Sequence, residues 1–392
     1  MAEYLTAEQA ARRLGVSRQT LYAYVSRGLL RAVPAPDPRQ SRYLAEAVEQ
    51  LATTRRRGRK PKEVARATLD WGMPVLESAV TLIENGRLSY RGRDAVELSQ
   101  TRSLEDVAAL LWQMERQTAF PPAAPGNLKA YASLCSQVGM APASDTLLPL
   151  FAVAASEDPT SAWRHDPEML AQGSGDLVRI LTATALRQAP RSVAIHQQLA
   201  ENWQVSSSGA DLIRQALVLC ADHELNASSF TARCVASTGA SLKAAIIAAL
   251  AALSGIKHGA MTTRVEQVWD GLDPDDVKGG LQRRLEAGET IPGFGHPLYP
   301  DGDIRARALL EPILPDFPQA ARFVDAVREL TGAEPSIDFA LVALRRHLQL
   351  PQGAAFLLFA IGRSTGWIAH ALEQRASGQL IRPRAIYTGE RP

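Results

Sequence analysis

From about residue 103 to residue 377, apolar side chains return every three or four positions and almost never every second one. That period constrains the fold more than any other feature. Residues three and four apart share one face of an α-helix, whereas a half-buried strand needs strict alternation. It predicts helices over 103–112, 128–135, 175–187, 211–220, 242–253, 275–287, 303–310, 318–330, 338–348 and 353–377, separated by loops of Pro, Gly and Asp. One stretch departs from it. In 77–92, Val80 and Leu82 alternate with polar residues, Asn85-Gly86 is the dipeptide of a primed two-residue turn, and Leu88 to Tyr90 returns, which predicts a β-hairpin. The most apolar run, 244–253, falls well short of the ~20 residues that span a bilayer; it reads as a buried helix, and no membrane association is expected.

The 392 residues suffice for two or three domains, and 46% hydrophobic against 21% charged is the balance of a globular protein. The formal net charge is +2, but residues 1–62 hold 13 Lys/Arg against 5 Asp/Glu, while the remainder holds 30 against 36. A basic segment on an acidic body suggests a nucleic-acid or other anionic partner for that segment. There, Thr6 caps a helix that stops at Gly15, and Ser17 caps a second that stops at Gly28. Two short helices joined by a tight turn make a helix-turn-helix. The run AARRLGVSRQTLYAYVSRGLL is similar to the winged helix-turn-helix of the MerR and excisionase type. That resemblance implies a wing over 29–43, with Pro34, Pro36 and Pro38 in its turn, and a third helix over 44–54. It also implies a second helix in the DNA major groove, with Arg18, Gln19, Thr20 and Tyr22 toward base edges or phosphates. The following RRRGRKPK, 55–62, has an Arg57-Gly58-Arg59 core that resembles a minor-groove arm. No basic stretch followed by an apolar core opens the chain, so a cytoplasmic location is expected.

The segment 291–305, IPGFGHPLYPDGDIR, is the least ordinary part of the body. Gly293 and Gly295 bracket Phe294 directly before His296, and Pro297, Pro300 and Gly302 forbid one continuous helix from His296 to Arg305. A shaped loop presenting a hydrogen-bond donor beside a fixed cation suits a carbonyl next to a carboxylate. His223 lies in DHELNASSFTAR among acids, an amide and hydroxyls, which reads as a polar pocket wall. His258 lies in SGIKHGA, where a following helix N-terminus would keep the imidazole neutral and able to donate. His165, His196, His347 and His370 lack such surroundings and read as structural. No His-x-x-x-His or Cys-x-x-Cys spacing is present, so no metal site is expected. Neither a Gly-x-Ser-x-Gly elbow nor a P-loop occurs. Of the three cysteines, Cys135, Cys220 and Cys234, the latter two read as inert core residues.

Seven segments in order carry a resemblance to citrate synthase: YRGRDAVELS, HELNASSFTAR at His223, GIKHGA at His258, PGFGHPLYPDGDIR at His296, PSIDFAL at Asp338, GRSTGWIAHALEQ at Arg363 and IRPRAIYTG at Arg382. This resemblance implies a mainly α, two-domain, all-helical body with an early β-hairpin over 71–392, and the N-terminal resemblance adds a winged helix-turn-helix over 1–54, followed by a basic linker over 55–70. Within that body the large domain would span 71–255 and 365–392, and the small domain about 256–364. It further implies a homodimer and a Claisen condensation of acetyl-CoA, or another short acyl-CoA, with oxaloacetate. The acyl-CoA is then a substrate, and no cofactor is expected. Carried over by position, Asp338 removes a proton from the thioester methyl, His258 donates to the thioester carbonyl, and His296 polarises the oxaloacetate carbonyl. His223, Arg305, Arg363 and, from the neighbouring subunit, Arg382 hold the dicarboxylate.

The sequence departs from the family pattern where many members carry basic residues for the CoA phosphates; it has Pro297 and Pro300 there, and Gly-Ala after His258 where Gly-Gly is usual. Acyl preference, acetyl against propionyl, is left open. With the helix-turn-helix attached, a second expectation stands beside the enzyme: a transcriptional regulator whose synthase-like body senses a metabolite. A complete set of base and donors favours catalysis, because a sensor needs the arginines but not Asp338.

Overall fold

The computed structural model describes residues 4–14, 16–26, 30, 32–34, 41–45, 48, 76–125, 129–138, 141–156, 158–164, 166–385 and 387–390. The chain divides into two compact units, residues 1–77 with 384–392, and residues 78–383.

The first unit contains β1 (Tyr4–Thr6), α1 (Ala7–Leu14), α2 (Arg18–Ser26), β2 (Ala32–Pro34) and β3 (Ser41–Leu44). The expected caps form. Thr6 Oγ1 accepts from the Gln9 N–H, and Gln9 Oε1 accepts from the Thr6 N–H; Ser17 Oγ accepts from the Thr20 N–H. The wing is the antiparallel pair β2–β3. The sequence reading missed β1, which pairs with the other edge of β3, Leu5 opposite Tyr43. Three residues are too few to register as an alternating run. Leu5, Ala10, Ala11, Leu14, Leu21 and Tyr43 belong to this unit's core. Tyr22 is exposed, and the Thr20 hydroxyl is 2.9 Å from that of Ser17. The side chains of Arg18 and Gln19, most of the expected third helix, and the basic segment with Arg57 and Arg59 lie outside the described residues.

The second unit opens with a small sheet, β4 (Thr81–Glu84), β5 (Arg87–Tyr90) and β6 (Arg93–Asp94). Asn85 and Gly86 have φ of 52° and 72°, as a primed turn requires. The first strand begins at Thr81. Val80, just before it, is buried in line with the expected alternation, but Thr81 is buried as well and Leu82 is 57% exposed, against it. Helices follow: α3 (Ala95–Thr101), α4 (Leu104–Trp112), α5 (Arg116–Ala119), α6 (Lys129–Gln137), α7 (Ala143–Ala154), α8 (Pro167–Leu186), α9 (Ile195–Asn202), α10 (Ser207–Leu219), α11 (Ala227–Ser237) and α12 (Leu242–Leu253). Then come α13 (Met261–Asp270), α14 (Val277–Glu286), α15 (Ile304–Leu310), α16 (Pro318–Thr331), α17 (Ile337–His347) and α18 (Ala354–Ser377).

All ten predicted helices are present. Helix α8 starts at Pro167, eight residues before the expected start at 175, because Gly173-Ser174-Gly175 does not break it. A Cβ on Gly175 would sit 1.8 Å from the Ala119 carbonyl oxygen, so its glycine serves close packing against α5. Five helices had not been predicted, α3, α5, α7, α9 and α11, while the helix expected to follow His258 is α13. Helix α11 is rich in Ser, Thr and Arg, which hides its apolar period.

The architecture is organised on α18, 24 residues long and buried from Ala354 to Ala371. Its length and composition would let it cross a bilayer, but here it is the core helix against which α4, α10, α11, α12 and α17 pack. Two glycines permit this density. A Cβ on Gly362 would lie 2.6 Å from the Leu217 carbonyl oxygen, and one on Gly366 would lie 2.4 Å from that of Ala221. The end of α10 is thereby pressed onto the face of α18 that carries Arg363.

Candidate active site

The loop at His296 is fixed by its glycines. Gly293 and Gly295 have φ of 82° and 74°, and a Cβ on Gly293 would meet Val265 at 2.7 Å. Between them Phe294 is driven into the aromatic cluster of Phe323 and Phe339. The Gly295 N–H donates to the Glu334 carbonyl and the Ser336 N–H donates to that of Gly293, both at 2.8 Å. The His296 loop is thus tied directly to the turn that launches α17, whose first turn carries Asp338.

Arg305 lies in the first turn of α15, capped by Asp303. That carboxylate accepts from Arg305 Nε at 2.9 Å and Nη2 at 2.7 Å, and from the Ile337 N–H at 3.0 Å. One aspartate therefore pins the arginine and the start of α17 together. Arg305 is 2% exposed. Burial opposes its charge, but Asp303 outweighs burial and holds the guanidinium more firmly protonated than usual.

His223 follows α10 on a turn rather than a helix, with Glu224 in the left-handed region at φ 54°. Tyr90, from β5, secures that turn: its hydroxyl lies 3.0 Å from the Val218 carbonyl oxygen and 3.3 Å from that of Asp222. The His223 ring is edge-on to His296, centroids 5.1 Å apart, and its Nε2 is 3.0 Å from Tyr299 Oη. Burial, then Arg305, Arg363, His296 and His258, hold His223 neutral well below the usual imidazole range. Each of these four groups lies near enough to His223 to act on it electrostatically.

His258 sits on the turn between α12 and α13, its Nε2 2.8 Å from Ser228 Oγ. The same oxygen accepts from Trp367 Nε1 at 3.0 Å and lies 2.7 Å from Asn226 Oδ1. Burial and then Arg363 bring His258 down to about 4. Burial and Arg363 thus favour the neutral imidazole that was expected here. Burial and Arg305 bring His296 likewise to about 4. Asp338 moves the other way: burial raises it to about 6 against the pull of Arg305.

Arg363 is buried on α18 and donates Nε–H to the Cys220 carbonyl at 2.8 Å; its Nη2 has no hydrogen-bond partner among the described residues. Burial raises the Cys220 thiol to about 12, in keeping with an inert core residue. The sequence-predicted His223, His258, His296, Asp338, Arg305 and Arg363 are brought together. Arg382 is not: it is exposed on the coil after α18. Ser228, Asp303, Tyr299 and Trp367 were missed as site residues. Only Asp303, two residues before Arg305 at a helix start, left a readable signal. Among the described residues no group of three or more His, Cys, Asp or Glu is placed to hold a metal ion. A cavity of about 780 Å³ lined by Phe317, Arg322, Arg345 and Arg346 lies toward the other end of α17 and contains none of these groups.

The sequence pattern described as "Citrate synthase, C-terminal domain" matches residues 68–384, most of the chain. The chain belongs to the citrate synthase family. A second pattern, "Helix-turn-helix domain", matches residues 4–56. Citrate synthase 2 of Bacillus subtilis is 30% identical over 354 residues, covering 81% of this chain and 94% of that protein. 2-Methylcitrate synthase 2 of Corynebacterium glutamicum is 28% identical over 349 residues, covering 78% and 90%. The crystal structure of citrate synthase from Thermotoga maritima superposes with a TM-score of 0.67 at 25% identity, covering 81% of this chain and 94% of that one. The body is that of a citrate synthase-like enzyme, and its fold is the mainly helical one that the resemblance implies.

Proposed function

We propose that the body performs a citrate synthase-type Claisen condensation, joining the α-carbon of acetyl-CoA or another short acyl-CoA to the carbonyl carbon of oxaloacetate and releasing CoA. The observation that carries this reading is a carboxyl raised to about 6, Asp338, together with two imidazoles lowered to about 4, His258 and His296, with the loop of His296 hydrogen-bonded to the turn that launches the helix of Asp338. A thioester methyl is a weak carbon acid, so a carboxylate removes its proton only if a fixed donor meets the developing oxyanion. Asp338, ionised above about pH 6, is that base. His258 is the donor. Its Nε2 lies 2.8 Å from Ser228 Oγ, whose hydroxyl donates to Asn226 Oδ1 at 2.7 Å.

His296 Nδ1 accepts from the Leu298 N–H at 3.2 Å, so its proton resides on Nε2, where it polarises the oxaloacetate carbonyl and then protonates the new alkoxide. His223, Arg305 and Arg363 hold the two carboxylates, joined by Arg382 from the second subunit of a homodimer. Water then cleaves the citryl thioester. The scheme calls for no metal and no cofactor beyond the acyl-CoA substrate. Because both citrate and 2-methylcitrate synthases are among the relatives, propionyl-CoA is a second acyl donor to test.

To the N-terminal unit we assign DNA binding in the cytoplasm, through α2 with Arg18, Gln19, Thr20 and Tyr22 and through Arg57 and Arg59. Purified full-length protein with oxaloacetate and acetyl- or propionyl-CoA is expected to release free thiol. No thiol with any short acyl-CoA refutes the condensation. A DNA mobility shift that weakens steeply with added salt is expected for the N-terminal unit; no shift at low salt refutes that assignment.

A further inference from the structure

Behind the candidate site lies a buried pair that the mechanism does not use. Asp222 and His370 are both fully buried, with His370 Nε2 3.2 Å from Asp222 Oδ2. On α18, Arg363, Gly366 and His370 stand three and four residues apart, on one face of the helix. The segment 220–222 runs along that face residue by residue. The Cys220 carbonyl accepts from Arg363 Nε, the Ala221 carbonyl accepts from the Gly366 N–H at 3.0 Å, and the Asp222 carboxylate meets His370. The fit is tight, since a Cβ on Gly366 would come within 2.3 Å of Asp222 Oδ1. Arg305 has its own bidentate carboxylate, whereas no carboxylate is in ion-pair contact with Arg363 among the described residues. A guanidinium buried without a counter-charge is costly, and the Asp222 carboxylate, two residues beyond the carbonyl that holds Arg363, is the charge that most offsets that cost.

We infer that the Asp222–His370 pair positions Arg363: His370 fixes the Asp222 carboxylate by a hydrogen bond, and Asp222 supplies the counter-charge that holds the buried Arg363 guanidinium in place with Nη2 turned toward the substrate. The inference rests on the reading of Arg363 as a carboxylate-binding group for oxaloacetate. Asp222 and His370 are positioning residues that touch no substrate themselves. His370 thus has a use that its neighbours in sequence did not disclose.

The test uses the full chain and four variants, Asp222→Asn, His370→Leu, His370→Gln and Glu373→Gln. Glu373, on α18 away from Arg363, pairs with Arg233 of α11 and with Arg91, so its variant reports the loosening of α18 alone. Oxaloacetate affinity is read by calorimetry, the Michaelis constant for acetyl-CoA at saturating oxaloacetate, and Tm by melting. Asp222→Asn is expected to weaken oxaloacetate binding at least about tenfold while leaving the acetyl-CoA constant within about twofold. His370→Leu should weaken it by a smaller factor, and His370→Gln, which keeps an N–H donor, should restore much of that loss. Glu373→Gln should lower Tm without moving oxaloacetate affinity. Unchanged oxaloacetate affinity in Asp222→Asn, or a loss equal to that of Glu373→Gln, overturns the inference. Wild-type protein that binds oxaloacetate but releases no thiol overturns the condensation and leaves the inference standing. Wild-type protein that binds no dicarboxylate overturns both.

Discussion

The two buried arginines of the site are held in opposite ways. Arg305 is fastened by its near neighbour Asp303, through a side-chain fork and a helix cap formed within three residues of chain. Arg363 is held by the Cys220 carbonyl, 143 residues away in sequence, and leaves Nη2 unpartnered. One side of the site is therefore built locally and the other by packing. The local side also carries Asp338 and His296, joined by the hydrogen bonds between 293–295 and 334–336. The packed side carries His223 and, through Trp367 and Ser228, His258. A base that must meet a fixed donor needs both sides in register, so each is open to separate attack.

The largest effect is expected at the base itself. Asp338→Asn should lower kcat by about 10²–10⁴-fold with little change in oxaloacetate affinity, measured by thiol release and calorimetry. In the wild type, kcat/KM should fall as pH drops through about 6, because only the ionised carboxylate accepts the proton. An acid limb near pH 4 would assign the titration to another group. Next comes the local ion pair. Asp303→Asn leaves Arg305 buried without its partner and weakens the cap of α15, a loss of about 3–5 kcal/mol in denaturant unfolding. A loss under about 1 kcal/mol would mean that the fork at Arg305 is incidental.

On the packed side, Gly366→Ala forces a Cβ against Asp222 Oδ1 and the Ala221 carbonyl, and should cost about 1–3 kcal/mol of stability. Oxaloacetate affinity should drop with it, which Asp303-independent packing at a remote glycine would not produce. The smallest effect is reserved for Ser228→Ala. It removes one hydrogen bond that sets the His258 tautomer, worth about tenfold in kcat, with the KM for oxaloacetate unchanged. An equal loss in KM would show that Ser228 shapes the pocket rather than the donor.

The same division explains what could be read from the sequence. His296, Arg305 and the glycines between and before them stand out because turns, caps and short loops are written in neighbouring residues. The large helices were legible from their period, down to the bounds of α12. The register of 220–222 on α18 was not, because it depends on Gly362 and Gly366 meeting carbonyls far away in sequence. Tyr299 drew no reading of its own from the sequence and is buried against His223 and His296. His370 looked like an ordinary core histidine until its partner was known. Helix α11 escaped because hydroxyls, that of Ser228 against His258 among them, interrupt its apolar stripe.

The most direct measurement follows the carbon–carbon bond. Full-length protein is incubated with oxaloacetate and acetyl-CoA labelled with ¹³C in the acetyl group, beside the Asp338→Asn variant, and the products are read by NMR. A labelled tricarboxylate from the wild type and almost none from the variant, with oxaloacetate binding intact in both, is the expected result. Wild-type protein that binds oxaloacetate yet leaves the label in acetyl-CoA would contradict the account.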